Sequence, residues 1–315
     1  ILLESKPHYL PALSTYYVSA ANANKISKAV AKIKGSFETV PKSIHHRLLY
    51  AKTLIIDKRP KAVIELLSQV DQSSYAPPFF WVALGESLIF DNQLGEALNL
   101  YKQWANKYPN QPMSWVKSSI TAELNKLSKE SLRLVSKGLE YLPENKKLIV
   151  LQTYFYLKNK ELKNAQLNID NMESKLSQLA VVQGFQGQIW AEQREFDKAI
   201  PKLELSYQSK PSSKNAGLLY FTLQAHTNKN EAEKFLELHV EEYPADFKMR
   251  YILANLLMKK NKETAFEHFL LQHKQDPNNF AVLNNLAWSD YLRKNYKQAH
   301  QWGMKALTLS PKNPN

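Results

Sequence analysis

A repeat of about 34 residues runs through the sequence and constrains its fold more than any other feature. Prolines one or two units apart mark it: Pro7, Pro41, Pro109, Pro143, Pro211, Pro244, Pro277 and Pro311. A series of small residues keeps the same step: Ala29, Ala62, Ala97, Ser131, Ala165, Ala199, Ala232, Ala265 and Ala299. Two series in phase predict a stack of structural repeats rather than the two globular domains that 315 residues would suggest.

Within each unit the apolar residues follow the spacing of two amphipathic helices, so we expect an all-α fold. In the clearest unit Trp81, Leu84 and Leu88 mark the first helix, and Ala97, Tyr101 and Trp104 mark the second. The polar run at residues 91–93 separates them. Glycine at Gly85 and Gly187, and the alanine series, are expected to let paired helices approach closely. One pair cannot bury its own apolar face and must stack on its neighbours.

The two series divide the chain into nine predicted units. Their bounds are 8–41, 42–75, 76–109, 110–143, 144–177, 178–211, 212–244, 245–277 and 278–311. Residues 1–7 read as the end of a preceding unit, so we expect a single array that is a fragment of a longer one.

Composition argues against several kinds of site. Cysteine is absent, which excludes disulfides, thiolate zinc sites and a cysteine nucleophile. The eight histidines form no H-E-x-x-H arrangement, and the eight glycines form no phosphate-binding loop. No apolar run approaches the ~18 residues of a membrane span. We therefore expect a protein that is not an enzyme, with no catalytic, cofactor or metal site and no transmembrane segment in this stretch.

The motif Trp81-x-x-Leu84-Gly85-x-x-Leu88, followed by Ala97-x-x-x-Tyr101 and Pro109, resembles the tetratricopeptide repeat (TPR). The resemblance covers residues 8–311 and is degenerate at Ser131 and Ser177, where the family has alanine and proline. It implies a right-handed α-α superhelical solenoid of tandem TPR helix pairs, with first helices lining a concave groove. It also implies a non-catalytic scaffold that binds a peptide or partner protein there. No three neighbouring units supply the Lys, Asn and Arg set of chaperone-binding TPRs, so a carboxylate clamp is not expected.

A narrower resemblance concerns one stretch near the end of the chain. Residues 276–288, DPNNFAVLNNLAW, are similar to a stretch of the bacterial TPR lipoproteins of exosortase (PEP-CTERM) and exopolysaccharide systems. This resemblance implies a protein of the bacterial periplasm or envelope that organises export, with a lipid anchor outside the present residues.

Mapping the first helices by phase predicts which side chains line the groove. The predicted groove residues are Arg47, Phe79, Val82, Met113, Val116, Ile120, Val150, Tyr154, Tyr251, Asn255, Asn284 and Trp288. The middle units are unusually apolar there, and a contiguous exposed apolar strip marks a binding surface. Two other interpretations stay open: neighbouring helices bury part of the strip, or the phase is wrong by one residue. Asn284 and Asn285 could bind a peptide backbone or serve packing.

Charge is concentrated at the two ends of the chain. Residues 1–75 carry 11 basic and 5 acidic residues, and residues 278–315 carry 5 and 1. An alternative function is therefore contact with an anionic polysaccharide or other polyanion through these ends. Clusters such as Lys58-Arg59-Pro60-Lys61 also suit solvated turns between paired helices. Nucleic acid is not expected as a partner, because helical repeats that read RNA use regular polar residues and this predicted groove is apolar.

Overall fold

The computed structural model describes residues 2–23, 26–71, 76–226 and 229–310. Within these residues regular secondary structure is entirely α-helical, which confirms the all-α prediction. The chain forms two compact units, Ile1–Asn164 and Ala165–Asn315, and each is described by itself. The bounds of single repeats drawn from the sequence stay a prediction.

The first unit consists of helices that alternate between a first and a second helix of each pair, after one short segment. They are α1 (Leu2–Ser5), α2 (Leu10–Asn22), α3 (Ile26–Thr39), α4 (Ile44–Ile56), α5 (Pro60–Ser68), α6 (Pro78–Phe90), α7 (Leu94–Lys107), α8 (Pro112–Leu124), α9 (Ser128–Tyr141) and α10 (Lys146–Lys158).

The boundary between the units falls within α11 (Leu162–Asp170). The second unit continues with α12 (Ser174–Ser177), α13 (Ala180–Glu192), α14 (Phe196–Ser209), α15 (Ser213–Ala225), α16 (Lys229–Glu242), α17 (Phe247–Leu257), α18 (Lys262–Gln275), α19 (Phe280–Leu292) and α20 (Tyr296–Leu309). Where Ser177 stands in place of the repeat's proline, the second helix is short and α12 follows it. Asp170 and Asn171, which favour turns over helix, lie at that break.

Prolines and capping side chains fix where helices begin. Pro60, Pro78 and Pro112 occupy the first turns of α5, α6 and α8, where the missing N–H costs little. Other helices start at a side-chain cap: Asn145 accepts a hydrogen bond from the Leu148 N–H at 3.2 Å. The prolines that mark the repeat lie instead in the turns between pairs: Pro41, Pro109 and Pro143 each stand three residues before a first helix begins.

The turn inside a pair places a non-glycine residue in the left-handed region. Six residues in the described ranges have positive φ, between 54° and 64°: Lys58, Asn92, Lys126, Lys160, Arg194 and Lys294. After Asn92, the N–H of Gln93 donates to the Leu88 carbonyl at 2.8 Å, the six-to-one bond of a Schellman motif. The basic cluster at Lys58 therefore lies in a turn between paired helices, as the sequence predicts.

Small residues allow close helix packing, which confirms the role predicted for Gly85 and Gly187. A Cβ at Gly85 would lie 2.2 Å from Cζ of Tyr101 on the paired helix α7, and one at Gly187 would lie 2.8 Å from Leu203 on α14. The indole rings of Trp81 and Trp104 stack beside this contact at 6.3 Å. The pairs thus close over side chains too large to leave room for a Cβ.

First helices of successive pairs also contact one another. Such contacts join α2 to α4, α4 to α6 and α8 to α10 in the first unit, and α13 to α15 and α15 to α17 in the second. Among the described residues, second helices of successive pairs contact each other less. Within each unit the first helices are therefore more closely spaced than the second helices. The predicted groove is expected on the exposed surface of the first helices.

Candidate partner-binding face

Apolar side chains lie side by side on the first helices α6, α8 and α10 of the first unit. We call this surface the apolar face and define it by Phe79, Val82, Met113, Val116, Ile120, Val150 and Tyr154. Phe79, Met113 and Ile120 are 40%, 41% and 40% exposed, and the other four are half-buried. All seven were predicted from the sequence, and the structure places them on adjacent helices.

Their half-burial comes from packing inside the unit. Val82 packs against the core that contains Trp81 and Leu84. Val116 and Tyr154 pack against the next core, with Trp115 and Phe155. The expectation that neighbours bury part of the strip is correct for these residues. The outer parts of Phe79, Met113 and Ile120 stay open to a partner.

Ion pairs between neighbouring first helices frame the face. Lys117 on α8 pairs with Glu86 on α6. Lys158 on α10 pairs with Glu123 on α8 at 3.2 Å, and the hydrogen bond to Glu123, followed by the nearby Tyr154, raises the pKa of Lys158. Because each pair crosses from one helix to the next, these contacts help to hold the apolar side chains in register.

Two exposed residues continue the face and were missed. Phe90 is 72% exposed and Leu124 is 50% exposed. Each lies 11 residues beyond a predicted member, Phe79 or Met113, which is close to three helical turns. The same helical phase would have found them, but the prediction stopped at Val82 on α6 and at Ile120 on α8, about two turns and one turn before the helix ends.

The structure corrects the register at Arg47. Arg47 lies 34 residues before Trp81, so it is equivalent to Trp81 and not to Val82. Like the Trp115 indole, which donates to the Pro109 carbonyl at 2.8 Å, its guanidinium reaches back to the residue six positions earlier, Pro41, at 3.0 Å. The phase error of one residue left open by the sequence occurs here. The place equivalent to Val82 belongs to Leu48, which is buried.

Further contacts commit Arg47 to the interior of its own unit. Its Nη1 donates to the Leu66 carbonyl at 2.7 Å, and the guanidinium lies over the Phe37 ring at 5.2 Å. Burial lowers its pKa. Arg47 therefore joins α3, α4 and α5 and is not part of the apolar face.

The four remaining predicted residues lie in the second unit, on α17 and α19, where the first helices carry amides and aromatic rings. Asn255 Nδ2 donates to the Tyr251 carbonyl at 2.7 Å. Asn285 Nδ2 lies 3.1 Å from both the Tyr251 hydroxyl and Asn255 Oδ1. Asn284 is exposed, and Trp288 stacks on Tyr291 at 5.4 Å. Asn285 thus serves packing between the two helices, which answers one alternative that the sequence left open.

A cleft of about 460 Å³ lies beside this amide network, lined by Lys248, Tyr251, Asn279, Val282 and other residues of α17 to α19. Its position on the first helices makes it the second unit's counterpart of the apolar face, with more polar walls. The chemistry of the predicted groove residues therefore differs between the two units.

Two structural observations bear on other kinds of site. In the residues that the structure describes, no group of three or more His, Asp and Glu side chains is arranged to hold a metal ion. Across those same stretches no helix is both long enough and apolar enough to span a bilayer.

Comparison with known proteins places the fold. No protein-family model matches the chain, and no curated protein matches it. Among solved structures, a tetratricopeptide repeat protein from Parabacteroides merdae superposes with a TM-score of 0.61 at 11% identity, over 79% of this chain and 99% of that one. The anaphase-promoting complex (APC/C) hetero-tetramer Cut9–Hcn1 superposes with a TM-score of 0.54 at 12% identity, over 83% of this chain. The chain spans about half the length of that second match, since 52% of it is covered. With the tandem helix pairs and their small-residue contacts, these likenesses show that the chain has the all-α fold of tetratricopeptide repeat proteins.

Proposed function

We propose that the chain is a non-catalytic scaffold and that the apolar face of its first unit binds an apolar segment of a partner protein. One observation carries this proposal: Phe79, Met113 and Ile120 each expose about two-fifths of a large apolar side chain on neighbouring helices. Phe79 lies on α6, and Met113 and Ile120 lie on α8. The Lys117–Glu86 ion pair joins α8 to α6, so these side chains belong to one surface rather than being scattered exposed residues.

The composition of the face suits a protein partner. Aromatic residues and methionine are enriched at the centres of protein interfaces, where charged residues are depleted. Met113 lies on α8 with Ile120, two turns before it, and can adapt its shape to a partner. One structural neighbour is itself an assembly, the Cut9–Hcn1 hetero-tetramer, and this serves only as a precedent for the fold.

A site-specific cross-linking experiment tests the proposal. A photoreactive amino acid at Ile120 should cross-link one partner in cells of the native host, and Met113→Lys with Phe79→Lys should remove that cross-link. Leu205→Lys with Leu238→Lys is the matched control, because both leucines are similarly exposed on second helices of the other unit. A cross-link that survives the face variant, with helicity unchanged, would show that the face does not bind the partner.

We also propose, from the sequence resemblance alone, that the partner belongs to a bacterial envelope export or exopolysaccharide system. Fractionation of the native host tests this placement. Recovery of the protein in the cytoplasmic fraction would refute the placement and leave the partner-binding proposal intact.

A further inference from the structure

The apolar face ends at one edge of the first unit, where first helices end and turn into second helices, and this edge has a composition of its own. We define this turn edge as residues 55–61, 90–93, 124–129 and 158–163. Large apolar side chains project from it: Phe90 is 72%, Leu124 is 50% and Ile56 is 49% exposed. Each ends a first helix, so equivalent repeat positions present one apolar side chain apiece.

The same segments are strongly basic. They contain eight basic residues, Lys58, Arg59, Lys61, Lys126, Lys129, Lys158, Lys160 and Lys163, against three acidic ones, Asp57, Asp91 and Glu161. Two of the three carboxylates accept hydrogen bonds within the unit, Asp91 from Gln93 at 2.7 Å and Glu161 from Asn164 at 2.7 Å. Lys158 is paired with Glu123, and the seven other basic residues still outnumber the carboxylates, so the edge combines exposed apolar side chains with a local excess of positive charge.

The left-handed turns give this charge a regular arrangement. Lys58, Lys126 and Lys160 are the positive-φ residues of their turns, so each lies at the same place in its repeat. Lys58 and Lys126 follow two residues after Ile56 and Leu124. Each of these two turns thus pairs one protruding apolar side chain with one lysine.

The arrangement is not a general property of the repeat. The turn after α13 in the second unit, residues 192–197, holds three acidic residues, Glu192, Glu195 and Asp197, and one basic residue, Arg194. Turn geometry alone therefore does not require lysine, although some turns of the second unit, such as those that hold Lys259, Lys260 and Lys294, are basic as well.

The shape of the edge favours a flat partner. Its cleft is lined by Ile55, Lys58, Arg59, Pro60, Ser87, Phe90 and Glu86, whose carboxylate is paired with Lys117, and it holds about 180 Å³. That is less than the ~300 Å³ at which ligand pockets begin. Protruding apolar side chains flanked by lysines are instead the composition of proteins that lie in the interfacial region of anionic bilayers.

We propose that the turn edge of the first unit docks on an anionic lipid surface. Phe90, Leu124 and Ile56 enter the headgroup region, and the surrounding lysines contact lipid phosphates. Neither contribution suffices alone, because stable peripheral binding requires both an apolar and an electrostatic component. The edge shares Phe90 and Leu124 with the end of the apolar face, but the two proposals are tested separately, because the cross-linking experiment substitutes Phe79 and Met113 and the vesicle experiment does not.

Vesicle flotation with the full chain tests the inference. The probe is phosphatidylcholine vesicles with about 30% phosphatidylglycerol, at about 50 mM salt, where surface charges are weakly screened. We expect flotation with these vesicles, little with pure phosphatidylcholine, and loss at about 500 mM salt. Lys126→Glu with Lys160→Glu should weaken binding at least about tenfold. Phe90→Ser with Leu124→Ser should weaken it similarly.

Matched variants control for net charge and for apolar exposure. Lys28→Glu with Lys42→Glu makes the same charge change elsewhere in the first unit, and Leu205→Ser with Leu238→Ser removes exposed leucines from the other unit. Both controls should float like the wild type. No flotation at low salt would overturn the inference, as would flotation that survives either edge variant. Loss with the lysine variant but not with Phe90→Ser and Leu124→Ser would indicate a soluble polyanion and overturn the lipid assignment.

Discussion

The two units are built from the same kind of helix pair but differ in the side chains at the contacts between helices, which we call joints. In the first unit the joints are aromatic: Trp81 stacks on Trp104, and Tyr101 fills the space beside Gly85. In the second unit a buried histidine, His239, lies between the Tyr207 hydroxyl at 2.8 Å and Asp246 at 3.0 Å. Asp246 also accepts a hydrogen bond from the Ser213 hydroxyl at 2.8 Å.

This difference shows which parts of the repeat are constrained. Small residues at helix contacts and left-handed turn residues recur in both units, because they set how closely and in what direction paired helices pack. The other side chains at the contacts between helices are free to be apolar or hydrogen-bonded. Since buried polar groups must all be satisfied, the joints of the second unit should be the more sensitive to substitution and to pH.

The largest effect is expected when the polar joint loses its acceptor. Asp246→Ala removes the cap of α17 and leaves His239 and Ser213 without their shared carboxylate, so the free energy of unfolding should fall by about 3–5 kcal/mol. Denaturant unfolding measures this change. Asp197→Ala is the control: Asp197 is exposed and pairs with His226 in the same unit, so its loss should change stability by less than about 1 kcal/mol. Equal losses of unfolding free energy in the two variants would show that the buried joint stabilises the fold no more than the exposed ion pair does.

The aromatic joint should respond to added volume instead. Gly85→Ala places a Cβ within 2.2 Å of the fully buried Tyr101 ring, and relief requires the ring or the helix to move. We expect a loss of about 1–3 kcal/mol, the usual cost of overpacking. Gly95→Ala in the paired helix meets no atom within 4 Å, and it should stabilise by about 0.5–1 kcal/mol, because alanine favours the helix. Thermal unfolding measures both changes. A shift of the unfolding temperature in the same direction for the two variants would contradict this interpretation of the joint.

Much of the fold could be predicted, because residues that pack the helices recur at the repeat spacing. Proline and alanine spacing predicts the helix pairs, and Gly85 predicts close approach, since both follow from sterics that act within one unit. The candidate site was harder. Arg47 was misplaced because spacing varies by one residue between units, and only its bonds to Pro41 and Leu66 reveal the register. Asn285 could not be assigned, because its partners Tyr251 and Asn255 belong to the preceding first helix.

Acid should weaken carboxylate contacts in both units, by different routes. In the first unit, hydrogen bonds from Arg133 and Lys102 lower the pKa of Glu130 from 4.5 to about 2. Burial alone would raise the pKa of Asp246, but hydrogen bonds from His239, Ser213 and the Met249 N–H outweigh it, and the pKa is lowered. A lowered folded-state pKa means that the carboxylate stabilises the fold above its unfolded-state pKa and loses that effect as pH falls through the folded value.

The measurement for Glu130 is an NMR titration of its side-chain carboxyl carbon. The wild type should titrate near pH 2, and Arg133→Ala should bring the pKa back toward 4.5, because the strongest hydrogen bond to the carboxylate is lost. Lys126→Ala, a basic residue without a contact to Glu130 in the structure, is the control and should leave the titration in place. A Glu130 pKa that does not respond to Arg133→Ala would show that the surface contact is screened out in solution.

The smallest effect tests what the two units share. Lys126 in the first unit and Lys294 in the second hold φ at 60° and 64°, a region in which a side chain clashes with its own backbone and glycine does not. Lys126→Gly and Lys294→Gly should each raise the free energy of unfolding by about 0.5–1 kcal/mol, after the greater entropy of glycine in the unfolded chain is subtracted. If the turn is a feature of the repeat backbone, the kind of joint nearby should not matter, and the two gains should agree within about 0.5 kcal/mol. The gains should also add in the double variant, because the two sites share no partner. A gain confined to one unit would mean that the joints influence the turns, and the backbone could then no longer be treated as common to both.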